Sequence, residues 1–583
     1  MTFAQRPSHS DFATGYGDDM EATSRLVPPN SARSSIQFSL SPSPHQWGMP
    51  LDMTSVDPDD YLHNPEPGSR KNNDNGTVFT MRGLGNLGCL FILVAGMITL
   101  FAGKPLSIMQ VYPIIMNVTE KKQTTQGGFN LGGINATGQI PDFTGNYGLI
   151  DRDTPASAYT KRSWETGEEM VLVFSDEFNT DGRSFYPGDD PFWEAVDLHY
   201  WGTNDLEWYD PTQPTTGNGS LLLTIEQVNP ADNHNMDYRS GMIQSWNKFC
   251  FTGGLLEASV MLPGSNSVSG FWPAVWAMGN LGRAGFGGSL DGMWPFTYDT
   301  CDVGTLPNQT YPGTQTPAAA LSGGDPSREG VLSYLPGQKL SACTCPGESH
   351  PGPMRSDGSY VGRAAPEIDV IEALVDSEGG KVSLSAQWAP YNAGYNWLNT
   401  SSNMIIHDPE HTVLNAYKGG VYQQTTSGLA VTNQECYELH GRCFAEYGFE
   451  YRPGFDEGYI TWINDGRRSW TLYGPGMGPD PLSEIGARPV PMEPMYIIAN
   501  LGFSSNFGHL DLENLIFPAT MSIDYIRVYQ PKSAVNIGCD PKNFPTAKYI
   551  ETYKHIYTNP NLTTWEQTGE PWPKNRRMPG GCD

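Results

Sequence analysis

Short runs of apolar, β-branched and aromatic residues recur from residue 170 onward, and turn-forming residues separate them. The last of these runs alternates apolar and polar side chains, which is the two-residue period of a strand with one buried face. No rhythm of strand, helix and parallel strand is visible in the sequence. The pattern predicts an all-β domain of two antiparallel sheets packed as a sandwich. The clearest runs are 170–174, 220–225, 255–262, 459–463, 495–501 and 521–529.

One uncharged segment differs from this pattern. Residues 83–103 carry no charge, and Arg82 and Lys104 bracket them. As a helix they would be about 30 Å long, the thickness of the hydrocarbon core of a bilayer. A buried core helix is the alternative. The segment lies too far from the N-terminus for a cleaved signal peptide, so we predict an uncleaved transmembrane signal-anchor.

Sequons and cysteines indicate the orientation of the predicted span, because positive charges flank it evenly. Only the sequon at Asn75 precedes it, and Cys89 lies inside it. The candidate glycosylation sites that follow it are Asn117, Asn135, Asn218, Asn308, Asn399 and Asn561. An oxidising, glycosylating lumen on the C-terminal side explains this asymmetry. We predict a single-pass type II protein of the secretory pathway or plasma membrane.

Eight cysteines follow the span, and they permit 105 pairings. Three of them fall in a long irregular stretch, residues 279–365, which needs covalent support. We favour two local pairs, Cys436 with Cys443 and Cys539 with Cys582. The candidates are Cys250, Cys301, Cys343, Cys345, Cys436, Cys443, Cys539 and Cys582.

The composition of the flanking segments completes the predicted organisation. The first segment is rich in Pro and Ser and has no apolar period, so it cannot offset its ordering entropy. The segment after the span is polar and rich in Gly, Thr and Asn, as in a stem. The predicted order is a disordered cytosolic tail (1–82), the span (83–103), a lumenal stem (104–165), the sandwich with its insertion (166–530), and an extension packed on it (531–583).

The net charge argues against polyanions as the main partners. The 583 residues carry a formal charge of −28, which repels nucleic acids and anionic membrane surfaces. The 65 glycines and 47 prolines favour a turn-rich β-protein, and 15 Trp with 28 Tyr suit an aromatic cleft.

Three acids crowd into one apolar strand, at Glu367, Asp369 and Glu372. In a regular strand the first two share a face and Glu372 falls on the other, but a single bulge returns it. The two glutamate carboxyls could then approach to about 5–5.5 Å, the separation found in retaining glycosidases. A solvated acidic face is the usual explanation of such a cluster. Because the residues between the acids are apolar, the strand has a buried face, which favours a functional role.

Landmarks around these acids carry a family resemblance. They are 173–178, 238–243, 270–276, the acidic motif itself and 523–529. The chain resembles the laminarinase-like glycoside hydrolases of family sixteen, whose fold is a jelly-roll β-sandwich. The resemblance implies Glu367 as nucleophile, Asp369 as its helper and Glu372 as general acid/base. In the segments 299–310, 334–341 and 557–563, the chain more narrowly resembles the fungal β-1,6-glucan synthesis-associated proteins.

Other residues are candidates for binding sugar. Stacking on glucose rings is possible for Trp272, Trp276, Trp388 and Tyr391, although burial is the commoner fate of such rings. Asn500 could reach a sugar hydroxyl. Laminarinase-like enzymes commonly carry a histidine where this chain has Gln387, which can bind a sugar or a carboxylate but cannot relay a proton.

No cofactor is expected from the sequence. The histidines and cysteines show no metal-ligand spacing. The resemblance allows a structural calcium far from the cleft, with Glu177 and Asp524 as candidate ligands.

Two functional hypotheses follow. The first is a retaining glycosidase or transglycosidase that acts on β-1,3- or β-1,6-glucan in cell-wall synthesis. The second is a non-catalytic protein that binds glucan, or serves as a scaffold, within the glucan synthesis machinery.

Overall fold

The predicted strands form in the computed structural model, which describes residues 148–583. The predicted tail, the predicted span, most of the predicted stem and the sequons at Asn117 and Asn135 lie outside these residues. The described strands are β1 (Thr160–Arg162), β2 (Glu169–Asp176), β3 (Glu194–Ala195), β4 (Leu198–His199), β5 (Glu207–Tyr209), β6 (Pro214–Gly217), β7 (Ser220–Gln227), β8 (Tyr238–Ser240), β9 (Met242–Gln244), β10 (Gly254–Met261), β11 (Trp272–Gly279), β12 (Glu367–Asp376), β13 (Gly379–Trp388), β14 (Met404–Ile406), β15 (Thr412–Leu414), β16 (Gln424–Val431), β17 (Ala445–Arg452), β18 (Tyr459–Asn464), β19 (Arg467–Tyr473), β20 (Met495–Gly502) and β21 (Ala519–Pro531).

The helices among residues 148–583 are short. The α-helices are α1 (Gly287–Leu290), α2 (Ala318–Ser322), α3 (Ala547–Thr552) and α4 (Lys554–Tyr557). The 3-10 turns are Ala156–Ala158, Trp201–Thr203, Pro230–Asp232, Val303–Thr305, Pro307–Gln309, Pro326–Arg328, Gly474–Met477 and Glu566–Thr568. No helix in this part of the chain is both long and apolar enough to cross a bilayer.

Two sheets form a sandwich, which confirms the predicted all-β class. The 8-stranded sheet has the order β15-β16-β13-β12-β11-β20-β9-β3. The main path of the 13-stranded sheet is β14-β19-β18-β17-β10-β21-β7-β8-β5-β4, with β1, β2 and β6 paired beside it. Among the pairings between the named strands of residues 148–583, only β5 with β8 is parallel. Antiparallel order lets short turns connect neighbours, as the turn-rich composition requires.

The main core lies between the sheets because alternate residues of each strand point inward. Val275 and Ala277 of β11 and Ile368 of β12 join Leu256 and Ala258 of β10 in one buried cluster. The opposite face of β11 and β12 is therefore free to carry the acids.

The sandwich begins before the predicted boundary at residue 166. β1 pairs with β2 through Lys161 and Met170. Just beyond β1, the Ser163 hydroxyl and the Trp164 backbone N–H each donate to Glu450, at 2.6 Å. The end of the predicted stem is thus a strand followed by two residues that bind the Glu450 carboxylate of the 13-stranded sheet, a role that its polar composition did not reveal.

The disulfides correct one predicted pair. Cys436 binds Cys443, as predicted, but the pairing of Cys539 with Cys582 is wrong. The other three disulfides are Cys250–Cys539, Cys301–Cys343 and Cys345–Cys582. Two of these join residues more than 200 positions apart, so sequence proximity was the wrong guide.

The extension packs on the sandwich and on the insertion. Tyr549, Ile556 and Trp565 share a second buried cluster with Trp276 and Met278 of β11. Because those two β11 residues point away from the main core, the extension covers part of the outward face of the 8-stranded sheet, the face that carries the acids.

Candidate active site

A bulge in β12 places the three acids on one face of the 8-stranded sheet. Asp369 pairs with Ser385 and Glu372 with Ser383, so three steps along β12 match two along β13. On the other side, the register of β12 with β11 also shifts at this point. The predicted bulge is confirmed, and the two residues between Asp369 and Glu372 both enter the main core.

The opposite sheet supports the bulge. The indole N–H of Trp462 on β18 donates a 2.9 Å hydrogen bond to the backbone carbonyl of Asp369. Trp462 stacks on Trp470 with ring centroids 4.3 Å apart. A bulge interrupts the regular ladder, and here a core tryptophan binds the carbonyl beside the interruption.

Each acid has its own hydrogen-bond donors. Trp294 of the insertion donates its indole N–H to Glu367 Oε2. The Ser385 hydroxyl bridges Asp369 Oδ2, at 2.8 Å, and Glu372 Oε2, at 3.1 Å. Glu367 and Asp369 also interact with each other, and the charge of Asp369 raises the pKa of Glu367.

Two further donors complete the set. Trp272 donates to Glu372 Oε1 at 3.2 Å. Gln387 donates to Asp369 Oδ2 at 3.1 Å, while its own carbonyl oxygen accepts from Thr425 at 2.6 Å. The amide of Gln387 is therefore bound to protein on both sides, and the structure places it on a carboxylate.

Burial raises the pKa of all three acids, because a charged carboxylate loses its hydration in this site. Asp369 has the lowest pKa, about 6, since Gln387 and Ser385 stabilise its charge. The pKa of Glu372 rises to about 8, with the charge of Asp369 adding to burial. Burial and both neighbouring acids raise the pKa of Glu367 well above its usual range, and the hydrogen bond from Trp294 opposes this rise.

The exposure of the acids matches a site open to a ligand. Asp369 is 1 % exposed, whereas Glu367 and Glu372 keep part of their surface in contact with solvent. Of the predicted sugar-binding residues, Trp272 lies half-buried beside Glu372 and stacks flat on Phe507 at 4.2 Å. This arrangement leaves an aromatic wall at the Glu372 end of the site.

Trp276 and Asn500 lie beside the acids and bind each other. The Trp276 indole donates to Asn500 Oδ1 at 2.8 Å, and Asn500 donates to the Tyr209 hydroxyl at 3.0 Å. Trp276 directly opposes Asp369 across the ladder. Direct contact of these two residues with sugar remains a prediction.

For two residues the prediction of stacking on sugar is wrong. Trp388 is 0 % exposed and Tyr391 is 2 % exposed, both in the main core. Trp388 follows Gln387 on β13, so it points to the opposite face of the sheet. Its indole donates to Thr426 inside the core, and the Tyr391 hydroxyl donates to the Met477 carbonyl. Buried rings with satisfied polar atoms cannot stack on a sugar.

Sequence reasoning missed several residues of the site. Trp294 lies 73 positions before Glu367, and nothing local predicts their contact. Ser385 could have been found, because Ser383, Ser385 and Gln387 alternate along β13 and so share a face. Tyr200 was missed too; burial raises the pKa of its phenol well above its usual value, and the charge of Glu367 adds to this.

The candidate calcium ligands do not fit a cation site. Arg527 binds both carboxylate oxygens of Glu177, at 2.9 and 2.7 Å, and the Thr154 hydroxyl donates to one of them. A guanidinium already neutralises this carboxylate, and Asp524 contacts only Ser259, at 3.5 Å, among its described hydrogen bonds. Within residues 148–583 no group of three or more His, Cys, Asp or Glu is arranged to hold a metal.

The described sequons differ in their surroundings. The side chains of Asn218, Asn399 and Asn561 are exposed. Asn308 is half-buried, and its Oδ1 accepts from the backbone N–H groups of Leu332 and Ser333. Glycosylation at these positions remains a prediction.

Comparison with known proteins gives the family. Residues 49–582 match the family model described as beta-glucan synthesis-associated protein SKN1/KRE6/Sbg1. The beta-glucan synthesis-associated protein SKN1 of Candida albicans is 41% identical over 546 residues, which cover 91% of this chain and 68% of that protein. The beta-glucan synthesis-associated protein KRE6 of Saccharomyces cerevisiae is 40% identical over 539 residues, which cover 90% of this chain and 69% of that protein.

The catalytic domain of an endo-1,3-beta-glucanase (laminarinase) from Thermotoga petrophila is similar in structure. It is 19% identical, the match covers 63% of this chain and 99% of that one, and the TM-score is 0.34. The family match and the two relatives confirm the narrower resemblance: this chain belongs to the SKN1/KRE6 family of beta-glucan synthesis-associated proteins.

Proposed function

We propose that this chain is a retaining glycosidase or transglycosidase that acts on β-glucan during cell-wall synthesis. One observation carries the proposal: the bulge in β12 brings Glu367 and Glu372 to one face, with Asp369 between them and different donors on each. Retaining glycosidases need two carboxyl groups close together, one charged and one protonated. A protein that only binds glucan has no need of that arrangement.

In the first step, Glu372 acts as the acid. Its raised pKa, about 8, keeps its proton at neutral pH. The carboxylate of Glu367 attacks the anomeric carbon, the glycosidic bond breaks, and the departing oxygen takes the proton of Glu372. For this attack Glu367 must be ionised, and the Trp294 indole N–H stabilises its charge.

In the second step, the glycosyl ester on Glu367 is resolved. The ionised Glu372 removes a proton from water or from a glucan hydroxyl, whose oxygen bonds to the anomeric carbon as the ester bond breaks. Water gives hydrolysis, and a glucan hydroxyl gives transfer. Transfer suits a family associated with glucan synthesis, so we propose β-1,3- or β-1,6-linked glucan as donor and acceptor.

Mass spectrometry in heavy-oxygen water tests the proposal. The purified full chain is incubated with β-1,3- and β-1,6-gluco-oligosaccharides in H₂¹⁸O. Hydrolysis places ¹⁸O at each new reducing end, whereas transfer yields longer products without it. The products should vanish with Glu367→Gln. They should persist with Glu378→Gln, a matched change at a largely exposed residue of the β12–β13 turn.

The alternative, a non-catalytic glucan-binding protein, is favoured by one observation. Burial and two neighbouring acids raise the pKa of Glu367 well above its usual range, which disfavours the charged form that a nucleophile needs. Equal oligosaccharide binding by the natural chain and Glu367→Gln, with no products from either, would establish this alternative and end the enzyme proposal.

The cellular setting is also part of the proposal. Residues 83–103 would anchor the protein as a single-pass type II membrane protein of the secretory pathway, with the sandwich in the lumen or outside the cell. Treatment with an endoglycosidase should then increase the mobility of the protein on a denaturing gel, and Asn399→Gln should remove part of that mobility shift. A protein from cells that shows no glycan would contradict this topology.

A further inference from the structure

The insertion carries Trp294 to Glu367 on a short segment that follows α1. α1 ends at Leu290, and the backbone N–H groups of Met293 and Trp294 donate back to its carbonyl at 2.8 and 2.9 Å. The Trp294 ring lies at the edge of the second buried cluster, half-buried. Contacts that fix α1 therefore help to fix Trp294, together with the Ala365 backbone N–H, which donates to the Met293 carbonyl at 3.0 Å.

The C-terminal extension holds α1 by three kinds of contact. Gly288 N–H donates to the Leu562 carbonyl at 2.6 Å. Trp565 N–H donates to Asp291 Oδ2 at 2.9 Å. The Trp565 ring lies under the ammonium of Lys339, 3.4 Å from its centroid, and Lys339 N–H in turn donates to the Gly292 carbonyl at 2.7 Å.

Two glycines of this segment allow the close approach of the extension. A Cβ at Gly287 would collide with the Thr563 carbonyl oxygen. Gly292 has φ +74°, which favours glycine, and a Cβ there would lie 2.6 Å from the Trp572 ring. The extension thus packs directly on the backbone of the segment that ends at Trp294.

Covalent bonds tie both ends of the extension. Cys250–Cys539 joins its start to the sandwich, and Cys345–Cys582 joins its end to the insertion. Beside the second bond, Cys345 N–H donates to the Lys574 carbonyl at 2.9 Å. The extension is therefore a strap with two fixed ends, laid across the insertion.

From these contacts we infer that the C-terminal extension is a positioning element of the active site. The extension packs against α1 and so holds the Trp294 indole on Glu367. The inference deepens the proposed function and rests on it for its effect on the reaction. In this arrangement Trp294 and the extension residues are positioning groups, since they act through Glu367. Their effect should appear in the ionisation of Glu367, because the indole N–H favours its charged form.

A disulfide pair and a matched control test the inference in the full chain. Cys345→Ser with Cys582→Ser releases the end of the strap and leaves three disulfides. Cys436→Ser with Cys443→Ser removes a disulfide whose loop packs at Leu262, at the far end of β10. Trp294→Phe keeps an aromatic ring and removes the N–H donor, together with part of the ring volume.

Two measurements are compared. Hydrogen–deuterium exchange of residues 286–297 reports the hold of the strap without any need of activity. The pH profile of kcat/KM reports the ionisation of Glu367. In the variant with the released strap, residues 286–297 should exchange at least several-fold faster. The acid limb of its kcat/KM profile should move upward by about half to one pH unit, as in Trp294→Phe, because removing one donor disfavours the charged form of Glu367. The control pair should change neither.

The combination of variants separates positioning from general loosening. If the strap acts through Trp294, adding Trp294→Phe to the released strap should shift the limb no further. Unchanged exchange at 286–297, an unmoved limb, or a fully additive shift would each overturn the inference. If the natural chain makes no product, the proposed function fails, and the exchange measurement alone decides whether the extension holds the segment.

Discussion

Glu372 has the clearest chemical assignment of the three acids. With a pKa of about 8, it is protonated at neutral pH and loses its proton as the pH rises further. We therefore expect kcat/KM to fall above about pH 8 as the acid is lost. Glu372→Gln should reduce turnover of glucan by roughly 10²–10⁴-fold, the range for loss of a general acid.

A substrate with an activated aryl leaving group provides the check on that assignment. Such a group leaves without a proton, so Glu372→Gln should still form the glycosyl-enzyme at a measurable rate. An equal loss on both substrates would mean that Glu372 is not the acid.

The tryptophans near the acids should separate into two classes on mutation. Trp388→Ala empties a fully buried site and should cost about 3–5 kcal/mol of stability. Trp272→Ala removes a half-buried ring that contacts Glu372, so it should change KM and kcat and cost less stability. Denaturant unfolding together with oligosaccharide kinetics measures both. A raised KM for a still folded Trp388→Phe would contradict the placement of that ring.

At the scale of the strand, the bulge should be removable while Glu367, Asp369 and Glu372 stay on one face of the sheet. Deleting Val370 turns three steps along β12 into two, which matches the two steps from Ser385 to Ser383 on β13. Glu372 would keep its partner and its side. We expect the deletion variant to fold with lowered stability, from the lost core side chain, and to retain measurable activity.

Deletion of Ile368 is the matched control. It removes one buried residue from a regular part of β12, so Glu367 shifts to the opposite face of the sheet. Activity should disappear although the loss of buried volume is similar. If both deletions abolish activity while near-ultraviolet circular dichroism stays native, the bulge itself is needed for the chemistry.

For the whole molecule, buried acids predict an unusual dependence of stability on pH. Burial raises the pKa of Glu372 to about 8 and those of Asp205 and Glu257 to about 7. Between pH 5 and 7 the folded state then binds more of these protons than the unfolded state. The free energy of unfolding should therefore fall as the pH rises through this window.

Buried bases oppose this trend. Burial lowers the pKa of His350 to about 3 and that of Lys339 to about 7, so their contributions to stability grow as the pH rises toward their unfolded values. The acids with a raised pKa outnumber these bases, and Tm should be lower at pH 7 than at pH 5. Glu257→Gln should reduce the difference and Glu378→Gln should not. A Tm that rises with pH would show that these acids ionise freely in the fold.

The sequence alone determined the properties that local pattern encodes. The alternation of apolar and polar residues gave the β-sandwich, because side-chain direction in a strand is fixed by its two-residue period. The same period, with one bulge, placed Glu367, Asp369 and Glu372 on a common face. Motifs along the chain indicated the family, and the short Cys436–Cys443 pair followed from its spacing.

Tertiary structure decided what depends on contacts between distant segments. The neighbours of Trp388 in sequence make it a candidate for the cleft, but its position on β13 sends it to the core. The partner of Cys539 lies 289 positions away at Cys250, and Trp294 meets Glu367 across an insertion of many turns. Such contacts are fixed by the packing of whole elements against each other, and no local period records them.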